Sequence, residues 1–325
     1  MVVGVGVGVG VGVGVGDSLE RRSASPPSPH FTHSLYVLLA ALLFSTGGAA
    51  IKAVSLDGWQ VASLRSAFAV VALALFLPGS RRGWGRPRTW LVAVSYAATL
   101  VLFVTSTKLT TAANAIFLQS TAPLWILVLA PWLLGERLRA RDLGFMAAVA
   151  AGLAVLFLGS PNASATAPDP ATGNLLATAA GLSWALTVSG LRWLERTGER
   201  GGLPAAALGN VIACVAVLPW AVPFPAPVLT DWLTLGFLGT VQIALAYMFL
   251  TKGLAGVPAF EGSLLLLVEP VLNPIWTWMV HGEEPGSWPI VGGALVLCAT
   301  AVKTAADVRG SGGKKEPPPN TGEHR

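Results

Sequence analysis

The residues best placed to do chemistry lie between Glu269 and Trp276. On a helix, Asn273 and Trp276 stand four and seven positions beyond Glu269, so a carboxylate, an amide and an indole share one face. All three fall inside an apolar run, where an ionisable side chain costs about 2.5–3.5 kcal/mol to insert and faces a cavity or a partner. Such a face suits a polar or aromatic solute, and the carboxylate can also carry a proton. Pro270 and Pro274 interrupt the same helix and release backbone carbonyls, which is tolerated where they line a cavity. The structural alternative is a protonated Glu269 bonded to a neighbouring helix, with the prolines setting a bend.

A second face comes from Asn114, Phe117, Thr121 and Trp125, spaced i, i+3, i+7 and i+11. Its polar members either line the same cavity or bond adjacent helices to each other, a contact often worth only about 0.6 kcal/mol; the second reading is the stronger. Tyr96 with Thr99 and Phe103, Trp184 with Ser183 and Thr187, and Gln242 with Tyr247 are weaker candidates, because an aromatic inside a span more often packs than binds. Arg65 lies a turn or so inside its span; it either attracts an anionic group or snorkels to the headgroups, and snorkelling is favoured. Lys52 and Lys108 are similar but nearer their span ends. Glu136 and Glu283 stand at helix ends within reach of water, as a gate or a local structural bond, and Glu261, near an interface, is a weaker proton site.

These residues need a scaffold, and composition dictates its solvent. Hydrophobic residues make up 53% of the 325 and charged residues 11%, against about 25% charged in soluble domains. Ten apolar runs follow, at 34–54, 60–78, 89–107, 111–134, 141–159, 173–194, 204–222, 232–252, 257–280 and 288–306, most near the roughly 20 residues that cross a hydrocarbon core. Trp59, Trp90, Trp132, Trp193, Trp220, Trp232 and Trp288 mark their ends, as headgroup-seeking rings do. An all-α polytopic membrane protein is expected, with ten transmembrane helices. Residues 1–33, including the Val-Gly tract, and 307–325 read as disordered cytoplasmic tails, and 160–172 as a linker. The tract has no cationic start or cleavage site and is a poor secretory signal.

Lys and Arg accumulate on cytoplasmic connectors. With the N-terminus inside, 18 of the 21 fall there: Arg21, Arg22, Arg81, Arg82, Arg86, Arg88, Arg137, Arg139, Arg141, Arg192, Arg196, Arg200, Lys252, Lys303, Arg309, Lys314, Lys315 and Arg325. Both termini are therefore expected in the cytoplasm of a cell membrane. The same sorting explains the net charge of +5 without nucleic acid, since no single soluble face is basic.

Sliding the chain on itself by about 147 positions superposes the fourth and fifth runs on the ninth and tenth. Thr121-Ala122-Pro123-Leu124 then meets Val268-Glu269-Pro270-Val271, and Gly135-Glu136 meets Gly282-Glu283. Residues 34–159 and 173–306 thus read as two repeats of five spans, and an odd number of spans makes them inverted. Such repeats form secondary transporters that bind near the midplane. Ala112-Ala113-Asn114-Ala115, Thr121-Ala122-Pro123-Leu124 and Leu133-Leu134-Gly135-Glu136-Arg137-Leu138, with Glu269-Pro270-Val271 and Gly282-Glu283 in the second half, resemble an EamA repeat of the drug/metabolite transporter superfamily. The resemblance implies a carrier of amino acids, other metabolites or drugs, with a small-molecule substrate and membrane lipids as its partners. Three positions depart from the pattern: His281 before the second Gly-Glu, Glu284 after it, and Glu261 opposite Asn114.

The competing readings are a membrane-embedded enzyme and a membrane sensor or scaffold. No HExxH, metal-binding aspartate motif, Ser/His/Asp set or Walker sequence occurs, so no cofactor, metal or ATP drive is expected. Cys214 and Cys298 fall in apolar runs as small hydrophobes. Gly144, Ala148 and Gly152 form a small-residue stripe expected to pack two helices together. Asn162-Ala163-Ser164 is a sequon that matters only where glycosylation occurs.

Overall fold

Within hydrocarbon every backbone N–H and C=O must be bonded inside its own segment, and helices do this for a chain of this composition. The computed structural model describes residues 29–133, 140–159, 162–196, 202–225, 227–254, 256–257, 262 and 265–311. Among them there are helices and no strand. In chain order these are α1 (Pro29–Ser45), α2 (Gly47–Ala53), α3 (Gly58–Phe76), α4 (Pro87–Leu109), α5 (Ala112–Gln119), α6 (Ala122–Leu133), α7 (Ala140–Leu158), α8 (Pro170–Arg196) and α9 (Gly202–Ala216). There follow α10 (Leu218–Ala221), α11 (Leu229–Phe237), a π-helical stretch (Leu238–Leu245), α12 (Ala246–Leu254), α13 (Val268–His281) and α14 (Ser287–Ser311).

Among the described residues, seven helical stretches are long and apolar enough to cross a membrane: Phe31–Ala53, Gly58–Phe76, Pro87–Leu109, Ala112–Leu129, Pro170–Leu191, Leu229–Leu254 and Ser287–Ala306. The chain is a multi-pass membrane protein. The other three expected spans fall on shorter helices. The 15 residues of α9 reach only about 22 Å at 1.5 Å each, because the helix breaks at Val217 ahead of Pro219. Its neighbour α7 keeps an apolar portion of Asp142–Leu158, and α13 has 14 residues.

Among the described residues, four spans besides the seventh are broken or distorted internally. The first turns at Thr46 between α1 and α2, the fourth at Ser120 and Thr121 between α5 and α6, the eighth widens into the π stretch, and α13 begins after a turn at Leu267. The turns at Ser120 and Leu267 lie about 147 positions apart, the offset of the internal repeat. Proline follows each, Pro123 in one and Pro270 in the other, and removes a helical donor there.

The capping box of Asp57 and Gln60 starts α3, which packs on α9 and the π stretch. Helix α1 lies against α12 and α13, α4 against α8 and α9, and α7 against α14. At that last contact the backbones touch: a Cβ on Gly152 would stand 2.9 Å from the Gly292 carbonyl oxygen, whereas nothing lies within 4 Å of one on Gly144. Only part of the expected small-residue stripe therefore packs. Outward, Leu75, Leu158, Leu229 and Val302 are each more than two-thirds exposed, an apolar exterior suited to lipid. Trp59 stacks near Trp220 with centroids 5.8 Å apart, and Trp90, Trp193, Trp232 and Trp288 are also exposed, as a headgroup belt requires. The side chain of Trp132 and residues 1–28 and 312–325 of the terminal tails lie outside the described residues, whereas 29–33 and 307–311, expected as tail, continue the helices α1 and α14.

Candidate functional site

Polar side chains gather in two places, one at an end of the bundle and one inside it. At the end, Lys52 on α2 meets Glu283, just past α13, at 2.9 Å, with both side chains about 5% exposed. The Lys52 ammonium also donates to the Thr110 carbonyl at 2.9 Å and to the Thr166 carbonyl. Glu283 Oε1 accepts the Ala112 N–H at 2.7 Å, placing a carboxylate on the positive first turn of α5. Nearby, His281 Nε2 bonds the Ala49 carbonyl at 2.8 Å, and Asp231 accepts from the Ser55 N–H at 2.8 Å and its hydroxyl at 2.6 Å. Lys108 donates to the Val54 carbonyl. The bonds of Glu283 to Lys52 and Ala112, of His281 to Ala49 and of Asp231 to Ser55 join the first half to the second.

Inside the bundle, Arg65 sits about two turns along α3, 4% exposed. Its Nη2 donates to Gln242 Oε1 at 2.8 Å, and the Gln242 amide in turn donates to the Phe44 carbonyl at 3.3 Å, next to the break between α1 and α2. The break is what lets this happen. A Cβ on Gly47 would stand 2.9 Å from Gln242 Nε2, and one on Gly48 only 2.2 Å from Asn273 Oδ1. Two amides from the second half thus rest on two bare glycines of the first. Tyr247 lies edge-on to Phe44 and Tyr96, with centroids at 5.6 and 5.9 Å, and the Trp276 indole donates to the Ser45 hydroxyl at 2.9 Å. Half-buried Glu269 is within electrostatic range of Arg65 and Tyr247, yet no ion pair joins it to Arg65.

Several buried polar atoms in this region have no partner: Arg65 Nε and Nη1, and both amide atoms of Asn273; on α6 the same is true of Trp125 Nε1. Each costs about 1–3 kcal/mol, and more where charged. Native structures rarely keep such groups bare unless a water or ligand completes them.

The sequence-derived candidates divide between these places. Glu269, Asn273, Trp276, Gln242, Tyr247, Tyr96 and Arg65 converge around the α1–α2 break. Arg65 was expected to snorkel, but it points at the π stretch from the inward face of α3 and is sealed from the headgroups. Glu283 was expected within reach of water; it is buried and bridges the halves through Lys52. The Asn114 to Trp125 face holds helices together, the favoured reading of its residues, although the helix turns within it at Ser120 and Thr121; Asn114 and Thr121 both meet α8. Asn114 bonds Asn174 of α8 at 3.1 Å, the Thr121 hydroxyl returns to the Leu118 carbonyl at 2.6 Å, and Phe117 packs on Gly293. Thr99 and Thr187 bond their own helices, and Trp184 is half-buried on α8. Glu136 and Glu261 lie outside the described residues. Reading the sequence missed Phe44, Ser45 and the Gly47-Gly48 pair, although adjacent glycines inside an apolar span were a usable signal of close approach.

Residues 32–158 and 171–304 match the EamA-like transporter family. An uncharacterized transporter of Archaeoglobus fulgidus is 27% identical over 276 residues, covering 82% of this chain and 94% of that protein. The uncharacterized transporter YwfM of Bacillus subtilis is 28% identical over 286 residues, covering 84% and 94%. A protein of known crystal structure, 21% identical, superposes with a TM-score of 0.57 over 86% of this chain and 98% of its own, which speaks to the fold alone.

Proposed function

The chain belongs to the EamA-like transporter family, and on that premise we propose a secondary transporter that exports a small polar metabolite across the cytoplasmic membrane by alternating access. The candidate substrates are an amino acid or related compound, or a drug-like solute. In this reading the two family segments are inverted repeats of five spans each, with both termini in the cytoplasm. The shared helix break about 147 positions apart and the distribution of basic residues support it.

The observation that carries the proposal is the cluster of under-partnered buried polar groups where the halves meet. Arg65 and Tyr96 come from the first half and Gln242, Tyr247, Glu269 and Asn273 from the second. Interrupted helices at that depth are how transporters expose backbone and polar side chains to a solute. The Lys52–Glu283 end lies on the outer side by the arginine distribution, so its bonds act as a closed outer gate that opens when the halves rock. Glu269 is the proposed proton site, facing Arg65 and Tyr247.

The test compares metabolites inside and outside cells that lack or overproduce the protein. A carrier shifts at least one compound between the pools; identical pools contradict it. With that compound in proteoliposomes, Glu269→Gln should lose its response to a pH gradient, and an unchanged response removes proton coupling.

A further inference from the structure

We propose that Arg65 is an anion subsite, built to hold the single carboxylate of a small solute, with Gln242 orienting the guanidinium and Tyr96 and Tyr247 flanking it. The inference deepens the carrier reading and rests on it.

A guanidinium carries five N–H donors in a planar fork. Gln242 takes one of the Nη2 hydrogens, and Nε and Nη1 are buried without partners. Whichever Nη2 hydrogen Gln242 uses, the other forms a two-pronged edge with Nε or Nη1, the geometry that matches a carboxylate. Arg65 is 4% exposed and about 10 Å along its helix, too deep for a lipid headgroup to be the natural occupant. The local charge narrows the ligand further. Among the described residues of this cluster Arg65 is the one cation, and Glu269 already lies within electrostatic range of it. With Glu269 holding its proton, one added negative charge balances the guanidinium, and a second is left without a cation. Tyr96 and Tyr247, within electrostatic range of the cation, and Phe44 beside Tyr247 suit an apolar or aromatic body. The preferred ligand is therefore a monocarboxylate, ahead of dicarboxylates and inorganic phosphate.

The probes are butyrate and benzoate, their neutral isosteres butyramide and benzamide, succinate, and inorganic phosphate. Binding is read as a saturable rise in melting temperature of the purified full chain in detergent. The two monocarboxylates should bind at least about tenfold more tightly than their amides and more tightly than succinate or phosphate. Arg65→Gln should abolish that preference, while Arg82→Gln, which removes an exposed arginine, should retain it. Amides that bind as well as acids, a full acid preference in Arg65→Gln, or no response to any probe at about 10 mM overturns the subsite. If Arg65→Gln does not fold, the acid-to-amide ratio of the native chain decides together with Arg65→Lys, which keeps the charge, loses the fork and should bind about tenfold less tightly. Flux of the same probes into proteoliposomes separates two failures. Binding without flux removes the carrier reading and leaves the subsite. Flux of a neutral solute that Arg65→Gln leaves untouched removes the subsite and leaves the carrier.

Discussion

Lys52 and Arg65 are both buried to about 5% exposure inside one bundle, yet the protein treats them oppositely. Lys52 spends its ammonium on two carbonyls and a carboxylate, and that carboxylate also accepts a backbone N–H. Arg65, with more donors, meets one glutamine side chain. The first arrangement satisfies a charge from within the chain and ties helix ends together. The second leaves a charge unsatisfied in the interior, and keeping it so costs stability that packing elsewhere must offset. Partner count, more than burial, separates the side chains that hold this fold from those available to a solute.

The sharpest way to break the comparison is to remove one member of the satisfied pair. Lys52→Met leaves Glu283 buried and uncompensated, and should lower unfolding stability by about 3–5 kcal/mol, measured by denaturant titration in mixed micelles. Adding Glu283→Leu should recover most of that loss. A single variant as stable as the native chain would show that the latch holds nothing. Arg65→Leu should behave in reverse. It should remove transport by at least about thirtyfold, as losing a charge-assisted contact of about 2 kcal/mol implies. Its stability should stay level or rise by about 0.5–2 kcal/mol, the usual exchange when a functional group is replaced by a packing one. A large stability loss would mean that Arg65 is a structural residue.

A smaller effect is expected where the first half offers bare backbone to the second. In Gly48→Ala the new Cβ would meet Asn273 Oδ1 at 2.2 Å, and the overpacking should cost about 1–3 kcal/mol. Combining it with Asn273→Ala should recover most of the melting temperature, since the two nearest atoms belong to that amide and the next, Ala112 Cβ, stands at 3.2 Å. The smallest net effect belongs to Trp125→Phe, where relief of an unpartnered donor is offset by the packing lost with the larger ring, leaving a change of about 0.5 kcal/mol or less. A loss well beyond this would reveal a partner for the indole.

Much of the membrane architecture was legible because hydropathy, tryptophan placement and basic-residue sorting are local signals, each read within one span. The Glu269, Asn273 and Trp276 face was legible for the same reason: three residues on one uninterrupted helix keep their spacing. The Asn114 to Trp125 face was legible as a helix contact, since Asn114 and Thr121 both meet α8, but the turn at Ser120 and Thr121 was hinted at only by Pro123. Arg65 was visible as an intramembrane charge, but its inward direction depends on Gln242, 177 residues away on a different helix. Lys52 and Glu283 were likewise read as two separate span ends, since nothing local shows that a residue of the first half and one of the second meet.

The central claim is that the protein carries a solute and that Arg65 holds it. The direct measurement compares metabolite pools inside and outside three cell lines with matched membranes: one without the protein, one with the native chain and one with Arg65→Gln at equal abundance. The account predicts that at least one monocarboxylate shifts between pools with the native chain and returns to the protein-free distribution with Arg65→Gln. Equal pools in all three lines, or the same shift with both chains, would contradict it.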